Sequence, residues 1–460
     1  MSQRPSSHVR ETDAFTMRME RDPQLRSTIA AVAVFDRCPT WEVLVDRIDR
    51  ATRLVPSFRS RLAASPFGLA PPKWVLDPEF DIAWHLRQEA CPPHTTVEDI
   101  LERAQVTAMT AFDPARSPWR FTLFHGLNDG RAALLMKVHH SLTDGIGGIE
   151  LAAHVVDFSR EHQDLGALPP PPKAVPRRLG DDLTEAASFS ARRWGDLAAT
   201  ALRRLPGGLA RSTRHPSELV ADVSTTAVSL ARFLRPVTTT RSPVMTERSL
   251  SRRFSRLDLD LPGLRVAAAA GDATLNDAFL AGILGGMRRY HLHHGAPVDS
   301  LRLTLPISVR QPGDAIAGNR VTLARIEVPI GVDDPLERMK AIGEIVRRAR
   351  DDPALRYSEA IASVLNLLPP GVTGSMLKHI DLVATNVPGF ADSIYVGGAL
   401  VEAFYPYAPT IGAAANIGLL SYRDRCHVGV SSDPAAIADP GVFVECLAAG
   451  FDEVVTAGAG

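Results

Sequence analysis

Lys137-Val138-His139-His140-Ser141-Leu142-Thr143-Asp144-Gly145-Ile146-Gly147-Gly148 is the stretch on which the reading of this chain turns. An apolar run over 132–138 enters it as a strand, and a helix-like run leaves it from Ile149 onward. Catalytic groups are often carried at such strand ends, on loops that a rigid scaffold positions. Adjacent residues on a strand point to opposite faces, so His139 and His140 cannot serve one reaction as equals. One packs or props and the other faces the cleft. Gly145, Gly147 and Gly148 allow tight turns and close approach of a ligand. The chemistry that fits is general-base catalysis, because a neutral imidazole of pKa about 6.5 accepts a proton from an alcohol or thiol near pH 7.

Other chemistries fit less well. A zinc site wants His at i and i+4 on a helix with a third ligand, which two histidines and an aspartate at a strand end do not supply. Ser141 has no G-x-S-x-G setting and no separate base. Gly145-x-Gly147-Gly148 does not match the dinucleotide fingerprint. A purely structural histidine pair is the competing reading from residue types alone.

Outward from the motif, strand and helix patterns alternate. Residues 119–126 and 132–138 read as a hairpin around the turn Leu127-Asn128-Asp129-Gly130. Upstream, 27–35 reads as a buried strand. Pro39-Thr40 opens a helix whose stripe is Trp41, Leu44, Val45, Ile48, Ala51, Leu54 and Val55. A helix over 96–111 has Thr96 as N-cap and Glu98 and Asp99 in its first turn. Downstream, strands are expected at 252–261, 301–306 and 321–328, and helices at 275–291, 335–350, 354–368 and 441–456. A late hairpin is expected over 411–422 and 425–431. No short repeat recurs, which disfavours a solenoid or propeller.

The 460 residues carry 51 Lys+Arg against 52 Asp+Glu, a net charge of −1. That gives no general field for gripping nucleic acid. Cys38, Cys91, Cys426 and Cys446 lie far apart with no CxxC, so neither a disulfide framework nor a zinc ribbon is encoded. The start of the chain is polar, and no stretch reaches the roughly 18–20 apolar residues that span a bilayer. The expectation is a reduced cytoplasmic protein whose membrane contact is peripheral. The balance is uneven along the chain: residues 173–248, which follow the prolines at 169–172, hold 13 Lys+Arg and 7 Asp+Glu. Helix candidates at 181–205 and 217–234 make this segment a solvated crossover or a basic face for anionic lipid. The division expected is 1–172, a basic helical crossover at 173–248, and 249–460.

HHSLTDG at 139–145 matches the HHxxxDG motif of the CoA-dependent acyltransferase superfamily. Its surroundings resemble the bacterial wax ester synthase/acyl-CoA:diacylglycerol acyltransferase family. Pro72-Lys73-Trp74 with Phe80 to His85 looks like that family's PxWV…FDxxxHV segment, and Ser117-Pro118-Trp119 like its PLW element. Asn276-Asp277 looks like its NDxxLA helix, and Pro306 to Arg310 with Gly318-Asn319 like its PVSxR…GN block. Asn386-Val387-Pro388-Gly389 looks like its SNVPGP segment, and Asn416-Ile417 with Ser421-Tyr422 like its late hairpin. Phe390, Thr385 and Ala415 depart from the family pattern without touching the histidine motif.

The resemblance implies an α/β fold of two chloramphenicol acetyltransferase-like halves joined by a helical crossover. It implies His140 as base with His139 beside it, and Asp144 in a structural salt bridge for which Arg310 is our inferred partner. Gly145, Gly147, Asn276, Asp277, Arg310 and Asn386 become candidate substrate-binding residues. Asn386, or backbone N–H groups near Gly147, would stabilise an oxyanion. Thr274-x-x-Asp277 also reads as a capping box and Asn386-Val387-Pro388-Gly389 as a turn. The implied substrates are acyl-CoA and a diacylglycerol or fatty alcohol, at a membrane or lipid droplet, with no cofactor and no metal. A related acyltransferase with a non-lipid acceptor, such as an amine, and a silent lipid-binding protein are the competing functions. His291, His293 and His294 read as a structural cluster at a helix end.

Overall fold

The run at 28–35 is apolar on both faces, as a strand buried on both sides must be. In the computed structural model it is such a strand. The structure describes residues 9–68, 70–174, 180–192, 195, 237, 239–308, 321–352, 362, 365–366, 374 and 377–459. In chain order the first half contains α1 (Glu11–Met19), β1 (Thr28–Phe35), α2 (Trp41–Leu54), β2 (Ser60–Ala63), β3 (Lys73–Leu76), α3 (Ile82–His85) and β4 (Leu86–Ala90). It continues with α4 (Val97–Met109), β5 (Trp119–His125), β6 (Ala132–His139) and α5 (Gly145–Ala152). The second half contains β7 (Arg253–Asp260), α6 (Leu261–Ala270), α7 (Leu275–His293), β8 (Ser300–Ser308), β9 (Val321–Pro329) and α8 (Pro335–Arg350). It closes with β10 (Leu382–Pro388), β11 (Tyr395–Val396), β12 (Ala399–Tyr407), β13 (Ala415–Tyr422), β14 (Arg425–Ser432) and α9 (Pro440–Ala459).

Local chemistry sets several of these boundaries. Thr96 caps α4 through Asp99 in a reciprocal capping box, and Thr274 caps α7 through Asp277 in the same way. The β5–β6 hairpin closes where Gly126 and Gly130 take positive φ of 82° and 81°.

Two six-stranded sheets form, ordered β11-β12-β1-β6-β5-β4 and β7-β14-β13-β10-β8-β9. The expected cut at 172 and 249 is therefore corrected. β11 and β12 come from the second half of the chain but complete the first sheet, with Ala30 opposite Tyr407 across β1 and β12. β1 has β6 as its partner on one side only. Without β12 it would present an apolar open edge, which proteins cover. On the second sheet, α6, α7, α8 and α9 bury one face in a core that includes Phe279, Leu284, Leu303, Ile417 and Phe451.

The sheets are joined where β12 crosses β13 and β14. Gly418 and Gly429 face each other across that hairpin. A Cβ on Gly429 would lie 2.0 Å from the Pro406 carbonyl oxygen, so only glycine lets β12 approach this closely. Phe254 of β7 stacks on Tyr407 at 4.1 Å, and the Tyr405 hydroxyl donates to Asp258 at 2.9 Å.

The crossover begins as a helix over 180–192, whose Asp182 and Glu185 reach the buried Lys73 ammonium at 2.6 and 3.1 Å. Arg192 is exposed. The expected helices at 217–234 and 354–368, and Arg193, Arg203, Arg204 and Arg310, lie outside the described residues, apart from isolated positions in the second helix. Among the described residues no helix is long and apolar enough to cross a membrane.

Candidate active site

β6 ends on His139, which lies opposite Thr28 of β1. The chain then steps off the sheet, and its backbone is held from both sides. His140 N–H donates to the Ser27 carbonyl at 2.9 Å, and His139 N–H donates to the Pro118 carbonyl at 2.9 Å. The family-like segments 80–85 and 117–119 stiffen this edge. His85 is wholly buried between the rings of Phe80 and Trp119, at 5.1 and 4.5 Å. Its Nδ1 lies 2.8 Å from the Trp119 carbonyl, and the Trp119 indole N–H donates to the Phe58 carbonyl at 2.7 Å.

The two histidines take the different parts that strand alternation requires. His139 is buried and fully engaged. Its Nδ1 accepts the Ser141 N–H at 3.1 Å and lies 2.7 Å from the Ser141 hydroxyl, while its Nε2 lies 3.2 Å from Glu20 Oε1. An acceptor at Nδ1 places the proton on Nε2, facing the carboxylate. His140 is half-buried, and its Nδ1 has no hydrogen-bond partner among the described residues. Burial pushes its pKa below the 6.5 of a free imidazole, and His139 adds to that. Its own backbone carbonyl and Asp144 oppose the shift without reversing it. A neutral imidazole at pH 7 follows.

Asp144 is buried and is the N-cap of α5, its carboxylate accepting the Gly147 N–H at 2.8 Å. One expectation is corrected here. The helix starts at Gly145 and not at Ile149, because the Asp144 cap and tertiary packing override the poor helix propensity of glycine. The Gly147 N–H itself is committed to Asp144. Gly145 has a packing reason: a Cβ there would lie 2.6 Å from Val387 Cγ2. The glycine lets α5 press onto β10, and so brings a strand of the second sheet against the histidine loop.

Asn386 is the residue before Val387, and it lies in a strand, not a turn. β10 runs parallel to β13 through Pro388 opposite Ser421, and the proline sits harmlessly at the strand's end. Alternation turns the half-buried Asn386 side chain to the face opposite Val387. Thr385 donates to Asn416 Oδ1 at 3.0 Å, and Phe390 meets the exposed Phe158 edge to face. The Asp277 carboxylate is occupied by the Thr274 N–H and hydroxyl at 3.0 and 2.7 Å, as its capping-box reading requires, and Asn276 beside it is half-buried. His291 is buried with Nδ1 2.8 Å from the Met287 carbonyl and Nε2 2.8 Å from the Ser242 hydroxyl, and His294 faces Asp439 at 3.1 Å. Among the described residues no group of three or more potential ligands could hold a metal ion.

Glu20, Ser27 and Val387 carry no local sequence signal for their place at this site. Each reaches it through a contact far along the chain. Lys137 behaves likewise: its buried ammonium donates to the Thr110 carbonyl and hydroxyl at 2.8 Å each, and its pKa is lowered to about 8, by burial first and then by Arg120 and Arg26.

Comparison with known proteins bears on the family and the fold. Residues 9–279 match the model of the wax ester synthase/diacylglycerol acyltransferase catalytic domain, and 317–454 match the family's C-terminal domain. A putative diacylglycerol O-acyltransferase of Mycobacterium tuberculosis is 33% identical, with 100% of this chain and 94% of the relative covered. The O-acyltransferase WSD of Acinetobacter baylyi is 28% identical, with 78% and 77% covered. The solved wax ester synthase/diacylglycerol acyltransferase of Marinobacter aquaeolei superposes with a TM-score of 0.63 at 22% identity, covering 98% of this chain and 100% of that one. A condensation domain of the calcium-dependent antibiotic synthetase reaches 0.63 at 15% identity, covering 100% and 97%. At these identities the structures speak to the fold, which they share with the chain end to end. The sequence matches go further: this chain belongs to the wax ester synthase/diacylglycerol acyltransferase family and is an acyltransferase.

Proposed function

We propose that the enzyme moves a long-chain acyl group from acyl-CoA to the hydroxyl of a diacylglycerol or a long-chain alcohol, with His140 as general base. The observation that carries this reading is the His140 imidazole, kept neutral by burial at the end of β6 while His139 is engaged on both nitrogens. His140 Nε2 takes the proton of the acceptor hydroxyl as its oxygen attacks the thioester carbonyl. The tetrahedral intermediate collapses, the C–S bond breaks, and His140 returns the proton to the departing CoA thiolate. A thiol of pKa about 8.5 leaves readily, so the acyl group goes directly to the acceptor with no covalent acyl-enzyme. Asp144 fixes the start of α5, and Arg310 is our proposed partner for it. The helix start contributes a positive dipole end beside the reacting centre.

The test is turnover of palmitoyl-CoA by the purified enzyme with dioleoylglycerol, hexadecanol or hexadecylamine, following free CoA and the acylated product. CoA release that requires a hydroxyl acceptor and matches the ester formed is the expected result. CoA release at the same rate without acceptor, or amide as the main product, overturns the reading. Peripheral contact with anionic lipid through the basic segment 173–248 belongs to the same proposal. Reversing the charge at Arg192, Arg193, Arg203 and Arg204 is expected to weaken co-sedimentation with phosphatidylglycerol vesicles, and unchanged co-sedimentation refutes it.

A further inference from the structure

We propose that Glu20 is a positioning residue for the reaction: its carboxylate holds His140 in place by gripping the two residues on either side of it, Ser27 and His139. The inference rests on His140 being the base. Glu20 is the C-cap of α1, and its Oε1 accepts the Ser27 N–H at 2.5 Å while facing His139 Nε2 at 3.2 Å. The carbonyl of the same Ser27 accepts the His140 N–H at 2.9 Å. One oxygen therefore ties Ser27, the residue whose carbonyl holds the His140 backbone, to the ring of the residue covalently before His140.

A carboxylate does more at this position than fill space. With Ser141 N–H on His139 Nδ1, the His139 proton must sit on Nε2, and Glu20 is the acceptor that keeps it there. The other groups around this ring are Phe112, edge-on at 6.0 Å from the segment after α4, and Ser141 and His140 on its own loop, while Arg26 and Ser27 ahead of β1 face the Glu20 carboxylate. Lys137, on the same face of β6, spends its ammonium on Thr110. Burial alone would raise the Glu20 pKa, but the His139 hydrogen bond, the Ser27 N–H and Arg26 together hold it below its ordinary value. Glu20 is thus ionised at neutral pH, and its bonds to Ser27 and His139 are the charge-assisted kind, shorter and stronger than neutral ones.

The experiment compares wild type, Glu20→Ala and Glu20→Gln as full chains. Glutamine keeps an oxygen acceptor for both donors and loses only the charge. Palmitoyl-CoA turnover is expected to show kcat lowered about 10²-fold in the alanine variant, the cost of a misplaced catalytic group, with KM unchanged. Glutamine is expected to restore most of kcat. Thermal midpoints of all three control for folding. A second arm reads 15N shifts of the histidine rings: His139 is a single Nε2–H tautomer in wild type and becomes a mixture in Glu20→Ala. Wild-type kcat in the alanine variant, or an unchanged His139 tautomer, overturns the inference. An inactive wild type would instead sink the proposed function, and the tautomer would still decide what Glu20 does.

Discussion

The end of β6 and the end of β14 are the same event in the chain, the second strand of a hairpin running on toward a helix, and they are finished differently. After β14, Asp433 is fully buried and saturated. It accepts from Ser249 N–H and Oγ at 2.8 and 2.7 Å, from Ala435 N–H at 3.0 Å, and pairs with Arg252 at 3.1 Å. Such a junction is a clasp, holding the end of the crossover to the second sheet. After β6, the carboxylate of Asp144 again caps the turn, but the His140 Nδ1 beside it has no partner among the described residues, and the helix that follows is glycine-rich where it meets β10. Saturating every polar group makes scaffold. Leaving one titratable group short of partners, in a place where burial sets its charge, makes a site.

Breaking each junction should give different symptoms. The largest effect is expected for His140→Ala, which should lower turnover about 10²- to 10⁴-fold, the usual worth of a general base, with an unchanged thermal midpoint. Activity near wild type would remove His140 from the chemistry. Asp433→Ala should do the reverse. It leaves the donors of Ser249 and Ala435 without their acceptor and removes the charge partner of the half-buried Arg252, so urea unfolding is expected to show a loss of about 1–3 kcal/mol, while kcat per folded molecule survives. A stability loss within experimental error would mean that the β14 junction is no clasp. Gly145→Ala should cost about 1–3 kcal/mol by overpacking against Val387, read as a lower thermal midpoint together with lower kcat. Gly148→Ala is the smallest, since a Cβ there meets nothing within 4 Å. It should be neutral or stabilise α5 by up to about 1 kcal/mol through helix propensity. If both glycine variants behave alike, the contact of α5 with β10 is not what demands glycine at 145.

The same two junctions show what the sequence makes legible. Local chemistry was readable: the Asp129-Gly130 hairpin, the Thr96 cap of α4, the capping box of Thr274 and Asp277, and the different parts played by adjacent histidines on one strand. The order of strands and helices follows from such signals. What was not readable depends on contacts between distant segments. The apolar sequence of β1 says that it is covered on both sides, but nothing in it says that β12, some 370 residues later, supplies one side. Glycines 145, 147 and 148 read as tight turns ahead of a helix from Ile149, because the packing against Val387 that makes Gly145 useful comes from β10. Asn386-Val387-Pro388-Gly389 reads as a turn until parallel pairing with β13 extends the strand through it. Glu20, seven residues before Ser27 and more than a hundred before His139, has only tertiary structure to recommend it.

The most direct measurement is the pH dependence of kcat/KM for palmitoyl-CoA, which reports the ionisation of the free enzyme's essential base. Protonating His140 stops it from accepting the hydroxyl proton, and burial keeps it neutral to lower pH than a free imidazole. The acidic limb should therefore have its midpoint below 6.5, with a plateau through neutral pH. A midpoint above 6.5 would contradict a half-buried, neutral His140 as the base.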